Sequence, residues 1–546
     1  MADEVKLSSE VKLSSDKLGA ALWACANEMR SKMDASDYKS YLLGLIFYKA
    51  LSDRELYAVY DLVENHKPQS LEEAQKLYES QVDGEDWDDI QDELSGKFSF
   101  AIQPKNTFTS FCHAINDKTF MLTELKQAMT DIEQAHDKFY LGLFGEFNIM
   151  SDKLGKTDKE RNSMIANCMM LMNQYNFNDY GADVLGNAYE YCIAQFAENS
   201  GKRAGEFYTP KQVSEILSRV VIHGQEKNEA FTVYDPCCGS ASLLLSVKNH
   251  MYKNDTIDCS KHIGYWGCEI NPTTYLLSRM NMILHEIPHQ YQHFRNGDTL
   301  ADDWPTDEPT TFSGVLMNPP YSAHWKASPE RIQDPRFSAY EKLAPKTKAD
   351  YAFLLHGYYH LKVGGNMGIV LPHGVLFRGG AEGVIRKHLI DNGSISAIVG
   401  LPAKLFYATG IPVCLIFLKK YNEKRDILFV DASKEFEKKS AQNALTDDNV
   451  NKIVQTVIDR KDVDKFAYLA SYEEILKNDY NLNIPRYVDT SEPEPEIDLG
   501  ELTDEIQKTN EELKDTEKNF LQMLGELTTQ DEKCAQDLEK LKALFK

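Results

Sequence analysis

Apolar residues recur at helical spacing through Leu18, Leu22, Ala26 and Met29, and again through Tyr41, Leu45 and Tyr48, so the chain opens with helices. The run from Tyr41 to Leu51 (YLLGLIFYKAL) is apolar on nearly every face. It falls far short of the roughly 20 residues a membrane span needs and predicts a buried helix. An acidic stretch at 82–96 (VDGEDWDDIQDELSG) predicts a surface loop or a short capped helix. Helix-like sequence without proline then runs from Lys118 to about Gln195. Residues 4–9 and 10–15 duplicate EVKLSS, which reads as a tail over 1–15 ahead of an all-helical domain over 16–195.

The period changes after Gly205. Short β-type runs alternate with helical patterns: FTVYDP (231–236), HIGYWGCEI (262–270), GVLMNPPY (314–321), NMGIVLP (366–372), ISAIVGLP (395–402), VCLIFLKK (413–420) and ILFVDAS (427–433). Such alternation predicts an α/β domain over 196–484, built on a largely parallel sheet with crossover helices. The last three runs lack long helices between them and predict an antiparallel addition at one edge. A proline- and glutamate-rich linker follows at 485–498. From 499 to 546, Leu499, Ile506, Leu513, Phe520, Leu527, Cys534 and Leu541 keep one seven-residue register, which predicts a long helix with an apolar seam. The companion seam is mixed, so the helix either folds back on its own domain or docks on another subunit.

Composition narrows the class. The chain has 546 residues, 42% hydrophobic and 26% charged, enough for about three to four globular domains. The N-terminus has no apolar signal segment, and a cytoplasmic location is expected. The ten cysteines show no C-x-x-C pair and no zinc spacing, so reduced structural thiols and no metal site are expected. The formal net charge of -24 carries more weight. A protein that grips DNA alone normally shows a basic footprint, so if DNA is the substrate, a partner does much of the holding.

The candidate chemistry starts at Asn318-Pro319-Pro320-Tyr321, at the end of an apolar strand. The prolines stiffen the loop and hold Asn318 extended. The Asn318 side-chain oxygen and the Pro319 carbonyl can then converge on one planar NH2 group, which offers two hydrogens. An exocyclic adenine amine is a poor nucleophile because its lone pair is delocalised, and two acceptors favour the pyramidal nitrogen that develops on attack. Tyr321 offers a face for an extruded base. Upstream, Asp235, Pro236, Gly239, Ser240 and Ala241 stand in a Gly/Ser turn between a strand and a helix, off the dinucleotide pattern G-x-G-x-x-G. Glu269 and Asp298 close the next two strands, where carboxylates can accept from ribose hydroxyls and an adenine amine.

In this order, GEFYTP (205–210), DPCCGSAS (235–242), GCEINP (267–272), NGDTL (296–300) and NPPY (318–321) resemble the adenine-N6 DNA methyltransferases of the gamma arrangement. More narrowly, YLLGLIFYKALSDR (41–54), LGNAYEYCIAQFA (185–197), KADYAFLLH (348–356), GIPVCLIFLKK (410–420) and YNLNIPRYV (480–488) are similar to HsdM, the modification subunit of type I restriction-modification systems. The resemblance implies a seven-stranded, Rossmann-like methyltransferase sheet and S-adenosylmethionine as cofactor. It implies that Glu206, Phe207, Tyr208, Thr209, Pro210 and Lys211 line the methionine end, that Asp235 and Gly239 to Ala241 underlie the cofactor, and that Glu269 holds the ribose. It also implies partners: a DNA specificity subunit met by the C-terminal helix, a second copy of this chain, a restriction nuclease subunit, and duplex DNA. Ala241 departs from the family, where a second glycine is common, and its methyl either crowds the cofactor or restricts φ.

Arg331, Arg336, Lys342, Lys346 and Lys348 form a basic segment that reads either as a phosphate contact or as a solvated loop. Two other readings stand beside DNA methylation: a protein glutamine-amide methyltransferase, whose substrate offers the same two hydrogens, and an inactive scaffold subunit.

Overall fold

The computed structural model describes residues 2–30, 33, 35–135, 139–180, 182–199, 209–252, 257–307, 309–406, 410–420, 423–439, 442–490 and 498–545. The first part is helical: α1 (Ala2–Arg30), α2 (Ala35–Glu64), α3 (Leu71–Gln81), α4 (Trp87–Phe98), α5 (Phe108–Asn116), α6 (Leu122–Gln134), α7 (Asp158–Met172) and α8 (Ala182–Asn199). The duplicated EVKLSS residues continue α1 without a break, and the repeat holds no glycine or proline to interrupt it. The apolar run at 41–51 lies in α2, and Leu42, Leu43, Leu45, Ile46, Phe47 and Tyr48 are fully buried there. The acidic stretch resolves into α4, with Ile90 and Leu94 turned inward and Asp88 and Asp89 at the favourable end of the helix dipole.

The α/β part contains β1 (Thr232–Asp235), β2 (Gly264–Glu269), β3 (Gln292–Asn296), β4 (Phe312–Met317), β5 (Leu361–Pro372), β6 (Ile395–Gly400), β7 (Val413–Lys419), β8 (Ile427–Asp431), a small ladder of β9 (Glu437–Lys438) with β10 (Asn443–Ala444), and β11 (Ala467–Ala470). Its helices are α9 (Lys211–Ile222), α10 (Ser242–Ser246), α11 (Pro272–Leu284), α12 (Asp350–Tyr359), α13 (Ala381–Asp391), α14 (Asp447–Asp459) and α15 (Tyr472–Lys477). The main sheet has nine strands in the order β11-β8-β6-β7-β5-β4-β1-β2-β3. Seven of them form the mixed methyltransferase sheet that the resemblance implies, and β8 and β11 extend it, correcting the count of seven. VCLIFLKK is not an edge addition either: as β7 it lies between β5 and β6, antiparallel to both. Six of its seven residues are buried, which suits a strand covered on both faces. ILFVDAS pairs parallel with β6, and β11 closes that side antiparallel to β8.

Chain order reverses between β1 and β4, so the carboxyl ends of these strands open the crevice where α/β folds bind ligands. The helical core is continuous with this sheet through α11, whose Leu277, Met280, Ile283 and Leu284 belong to it. Arg54 of α2 donates to the Ile283 and Leu284 carbonyls at 3.1 and 2.7 Å, satisfying acceptors left over at the end of α11.

Of the linker expected at 485–498, residues 491–497 lie outside the described residues and the first positions are packed. Ile484, Tyr487 and Val488 are buried, and Tyr487 stacks on Phe429 at 3.9 Å. Their i, i+3, i+4 spacing makes an apolar face that outweighs the polar look of the segment. Residues 491–546 form a separate unit. The single helix expected there is two, α16 (Leu499–Glu526) and α17 (Glu532–Ala543). Leu527 is extended, and Asp531 caps α17 by accepting from the Lys533 and Cys534 amides. The seven-residue register therefore does not run along one helix. Leu524 is buried, and Phe520 meets Phe545 edge-on at 5.2 Å, while Ile506, Leu513 and Met523 stay exposed. Among the described residues no helix is long and apolar enough to cross a membrane.

Candidate active site

The loop after β1 is shaped by two left-handed residues, Gly239 (φ +54°) and Ala241 (φ +65°), with Ala241 capping α10. Three bonds staple it to its neighbours. The Cys238 amide donates to the Cys268 carbonyl at 3.0 Å, the Gly239 amide to Glu269 Oε2 at 3.1 Å, and Asn281 Nδ2 of α11 to the Ser240 carbonyl at 3.0 Å. Asn281 also donates to Glu190 of α8 at 3.1 Å, so the helical part supports the loop. The Ala241 methyl is fully buried in the core under the sheet. Of the two consequences raised for this alanine, the structure displays the restricted φ.

Glu269 ends β2 at 7% exposure. Its Oε1 accepts from the Asn271 amide at 2.8 Å, and with three amides on the four lone pairs of the carboxylate one acceptor position stays open. Burial raises its pKa above the usual carboxylate value, against bonds from the Asn271, Gly239 and Ile270 amides and the charge of Lys39. Lys39, on α2, is lowered to about 8, mainly by burial. Asp235 is fully buried and accepts from the Cys237 amide at 2.8 Å. Burial, and then the charge of Glu269, hold its carboxyl well above the usual range. Asp298 is exposed, and its Oδ1 caps its own turn by accepting from the Leu300 and Ala301 amides. Thr299 beside it donates to the Pro236 carbonyl at 2.5 Å, which locks the turn after β3 to the loop after β1.

Asn318 stands at the end of β4 with its amide engaged at both ends: Nδ2 donates to Thr209 Oγ1 at 3.1 Å, and Oδ1 accepts from the Tyr321 hydroxyl at 2.9 Å. Pro319 is buried and Pro320 exposed. The half-buried Tyr321 ring meets Phe406 edge-on at 6.4 Å, and burial raises its hydroxyl pKa. Thr209, Asp235, Gly239, Ser240 and Asn318 line one cavity, so the turn after β1 and the loop after β4 share a single space.

Other expected residues go elsewhere. Glu206, Phe207 and Tyr208 lie outside the described residues. Pro210 and Lys211 start α9 and line a different cavity, with Glu190 and Leu405. Among the described residues of GEFYTP, Thr209 alone reaches the Asn318 cavity, because α9 turns the chain away behind it. Arg336 is not a phosphate contact: it is buried, bonded to Asp334, the Thr299 carbonyl and His356. Arg331 donates to the Ala301 carbonyl, while Lys342 and Lys346 are exposed. Asp303, His356 and His360 place ligand-type atoms within 4.8 Å of one another. Their ring nitrogens are taken by Tyr234, Arg336, Thr310 and Asp303, so the group serves as a hydrogen-bonded strut beside β1.

Motif reading missed Asn281, Glu190, Asp350 and Arg378. Asp350 accepts from the Ser322 amide directly behind the Asn318 loop. The available signal was an acid set among apolar residues, in KADYAFLLH for Asp350 and in LGNAYEYCIAQFA for Glu190.

The acidic residues around this crevice suit a ligand that carries a positive charge. Asp235 and Glu269 bring two acidic side chains together under it, so a sulfonium cation offsets their mutual repulsion. Gly267 lets Phe294 and Cys238 pack closely against β2, since a Cβ there would come within 2.5 Å of Phe294 and 3.0 Å of Cys238 Sγ.

Comparison with known proteins agrees with the geometry. The N-6 DNA Methylase family matches residues 180–496, and the HsdM N-terminal domain matches residues 18–172. The type I restriction enzyme MpnII methylase subunit of Mycoplasma pneumoniae is 33% identical over 92% of this chain and 95% of its own length. The MjaVIII methylase subunit of Methanocaldococcus jannaschii is 30% identical over 92% of this chain and 83% of its own. The crystal structure of a type I restriction-modification methyltransferase subunit from Streptococcus thermophilus is 49% identical, with a TM-score of 0.84 over 87% of this chain and all (100%) of that one. With a matching sheet, a matching helical domain and relatives aligned nearly end to end, the chain belongs to the N-6 DNA methylases, as an adenine-specific DNA methyltransferase subunit of the type I restriction-modification family.

Proposed function

We propose that this chain transfers the methyl group of S-adenosylmethionine to N6 of an adenine in duplex DNA. We further propose that it works with a DNA specificity subunit, a second copy of itself and a restriction subunit, on chromosomal DNA in the cytoplasm. The observation that carries the reading is the Asn318 amide, held from both sides in a cavity shared with the turn after β1.

In this reading Glu269 holds the ribose, Asp298 turns its remaining oxygen toward the adenine ring, and Asp235 with Gly239 to Ala241 underlies the methionine part. Bound there, the cofactor supplies an electrophilic methyl group. Asn318 Oδ1, which has a second lone pair beside its bond to Tyr321, and the Pro319 carbonyl accept the two hydrogens of the target amine. That pair of acceptors stabilises the nitrogen as it becomes pyramidal. Tyr321 offers its half-exposed ring to the extruded base.

The net charge of -24 supports delegating the grip on DNA to a partner. The C-terminal unit supports docking on protein: residues 491–546 carry 16 acidic and 7 basic side chains yet expose Ile506, Leu513 and Met523. Coexpression with the specificity subunit in a host lacking adenine methylation, followed by methylome mapping, tests the reading. One methylated sequence is expected, absent with Asn318→Ala, while calorimetry shows the variant still binding cofactor. No N6-methyladenine, or the same pattern in the variant, refutes it.

A further inference from the structure

Asp350 opens α12 without any solvent exposure, and the chemistry above makes no use of it. Its Oδ1 accepts from the Ser322 amide at 2.7 Å, and its Oδ2 meets Arg378 Nη2 at 2.7 Å. Arg378 also gives Nε and Nη2 to the buried Glu382, at 2.5 and 2.9 Å, so a second acid fixes its position. Ser322 follows Tyr321 directly and sits at φ +52°, a region that a residue with a Cβ disfavours. Something must hold it there. A buried carboxylate backed by an arginine makes a charge-assisted bond, shorter and stronger than a neutral one.

We propose that Asp350 is a positioning residue for methyl transfer: backed by Arg378, it clamps the exit of the Asn318–Tyr321 loop in its left-handed turn. The two prolines stiffen the front of that loop, and Asp350 fixes the back. The Tyr321 hydroxyl then stays within reach of Asn318 Oδ1, and the two acceptors keep their aim at the target amine. Asp350 touches neither cofactor nor base in this scheme. Only the activity arm of its test rests on the methyltransferase reading.

The test uses full-length Asp350→Asn and the double variant Asp350→Asn/Ser322→Gly, each assembled with its partner subunits. Hydrogen exchange is followed in peptides covering 317–327, cofactor binding by calorimetry, and single-turnover transfer on unmethylated chromosomal DNA. Asp350→Asn should speed exchange in that peptide and leave cofactor affinity at the wild-type value. Transfer should fall about tenfold to a hundredfold, the loss expected from a misplacement on the order of 1 Å. Glycine adopts the left-handed turn freely, so the double variant should recover part of the lost rate.

Wild-type transfer by Asp350→Asn, or unchanged exchange at Ser322, overturns the proposal. So does a loss of cofactor binding in step with transfer, or no recovery with Ser322→Gly, because Asp350 then acts only on the fold. Where Asp350→Asn does not accumulate, Arg378→Lys goes through the same measurements. A wild-type complex that leaves adenine unmethylated refutes the functional reading instead, and the exchange arm still decides the clamp.

Discussion

Replacing Glu269 with glutamine preserves volume and removes one acceptor. In the native chain Oε2 takes the Gly239 amide at 3.1 Å and Oε1 the Asn271 amide at 2.8 Å. Glutamine has one acceptor oxygen and an NH2 group. Whichever amide keeps the oxygen, the other faces a donor, and at 7% exposure water cannot make up the difference. An unpaired buried donor costs about 1–3 kcal/mol, and a bond from a charged carboxylate to a ribose hydroxyl is worth about 1.5–3 kcal/mol. The first loss is present with or without cofactor and falls on the stability of the fold, so cofactor binding loses the second, roughly 1.5–3 kcal/mol, a rise in Kd of about 10-fold to 150-fold. Glu269→Ala also frees both amides, but it leaves room for water and should bind no worse than the glutamine variant. Acidification should act in the same direction. Burial raises the Glu269 pKa, so native affinity falls as pH drops through a point above the usual carboxylate range, while the glutamine variant stays flat. Calorimetry with S-adenosylmethionine from pH 5 to 8, beside thermal melts, measures all of this. A glutamine variant that binds within about threefold of the native chain refutes the reasoning, since that is under 1 kcal/mol.

The Asp235 carboxyl, raised by burial and then by Glu269, binds its proton more tightly folded than unfolded, so it lowers stability as pH rises through its folded pKa. Asp235→Asn, which can still accept from the Cys237 amide, should raise the urea midpoint of the cofactor-free chain at neutral pH and flatten its pH dependence; a lower midpoint contradicts this. Ala241→Gly relieves about 1–2 kcal/mol of left-handed strain, against about 0.5–1 kcal/mol of added chain entropy and about 0.8 kcal/mol for the buried methyl. Stability should therefore stay within about 1 kcal/mol of native with cofactor affinity unchanged, and a tighter cofactor complex would mean that the methyl crowds the crevice after all. Tyr321→Phe keeps the ring and loses one neutral hydrogen bond, so transfer should drop by less than about tenfold. Tyr321→Ala should lose more than Tyr321→Trp, and equal losses in single-turnover assays would remove stacking as the role of this residue. Truncation after Thr490 should leave a folded, cofactor-binding chain that no longer coelutes with a specificity subunit in size-exclusion chromatography; a complex that survives truncation places the docking surface elsewhere.

What the sequence determined by itself was local. The helical opening, the strand runs and the turns at Asp235 and Asn318 each depend on a few neighbouring residues, whose period, glycines and prolines set the backbone directly. The positions of Glu269, Asp298 and Asn318 at strand ends follow from the same patterns. Strand order was not local. VCLIFLKK reads alike at an edge or in the middle of a sheet, and only packing on both of its faces chose the middle. The four-residue β11, half exposed along its length, carries too little alternation to announce itself. Capping decided the C-terminal unit, where Asp531 starts a second helix inside a register that looked unbroken.

The tertiary structure alone brought Thr209 to Asn318, 109 residues along the chain, and Asn281 and Glu190 to the turn after β1. Asp350, seen in the sequence as one acid in an apolar run, acquires its partners only when α12 packs behind the loop that begins at Asn318. Contacts of this kind depend on which surfaces meet once the sheet has formed. A buried polar group must then find whatever donor or acceptor the fold sets beside it, and no spacing along the chain records which one that is.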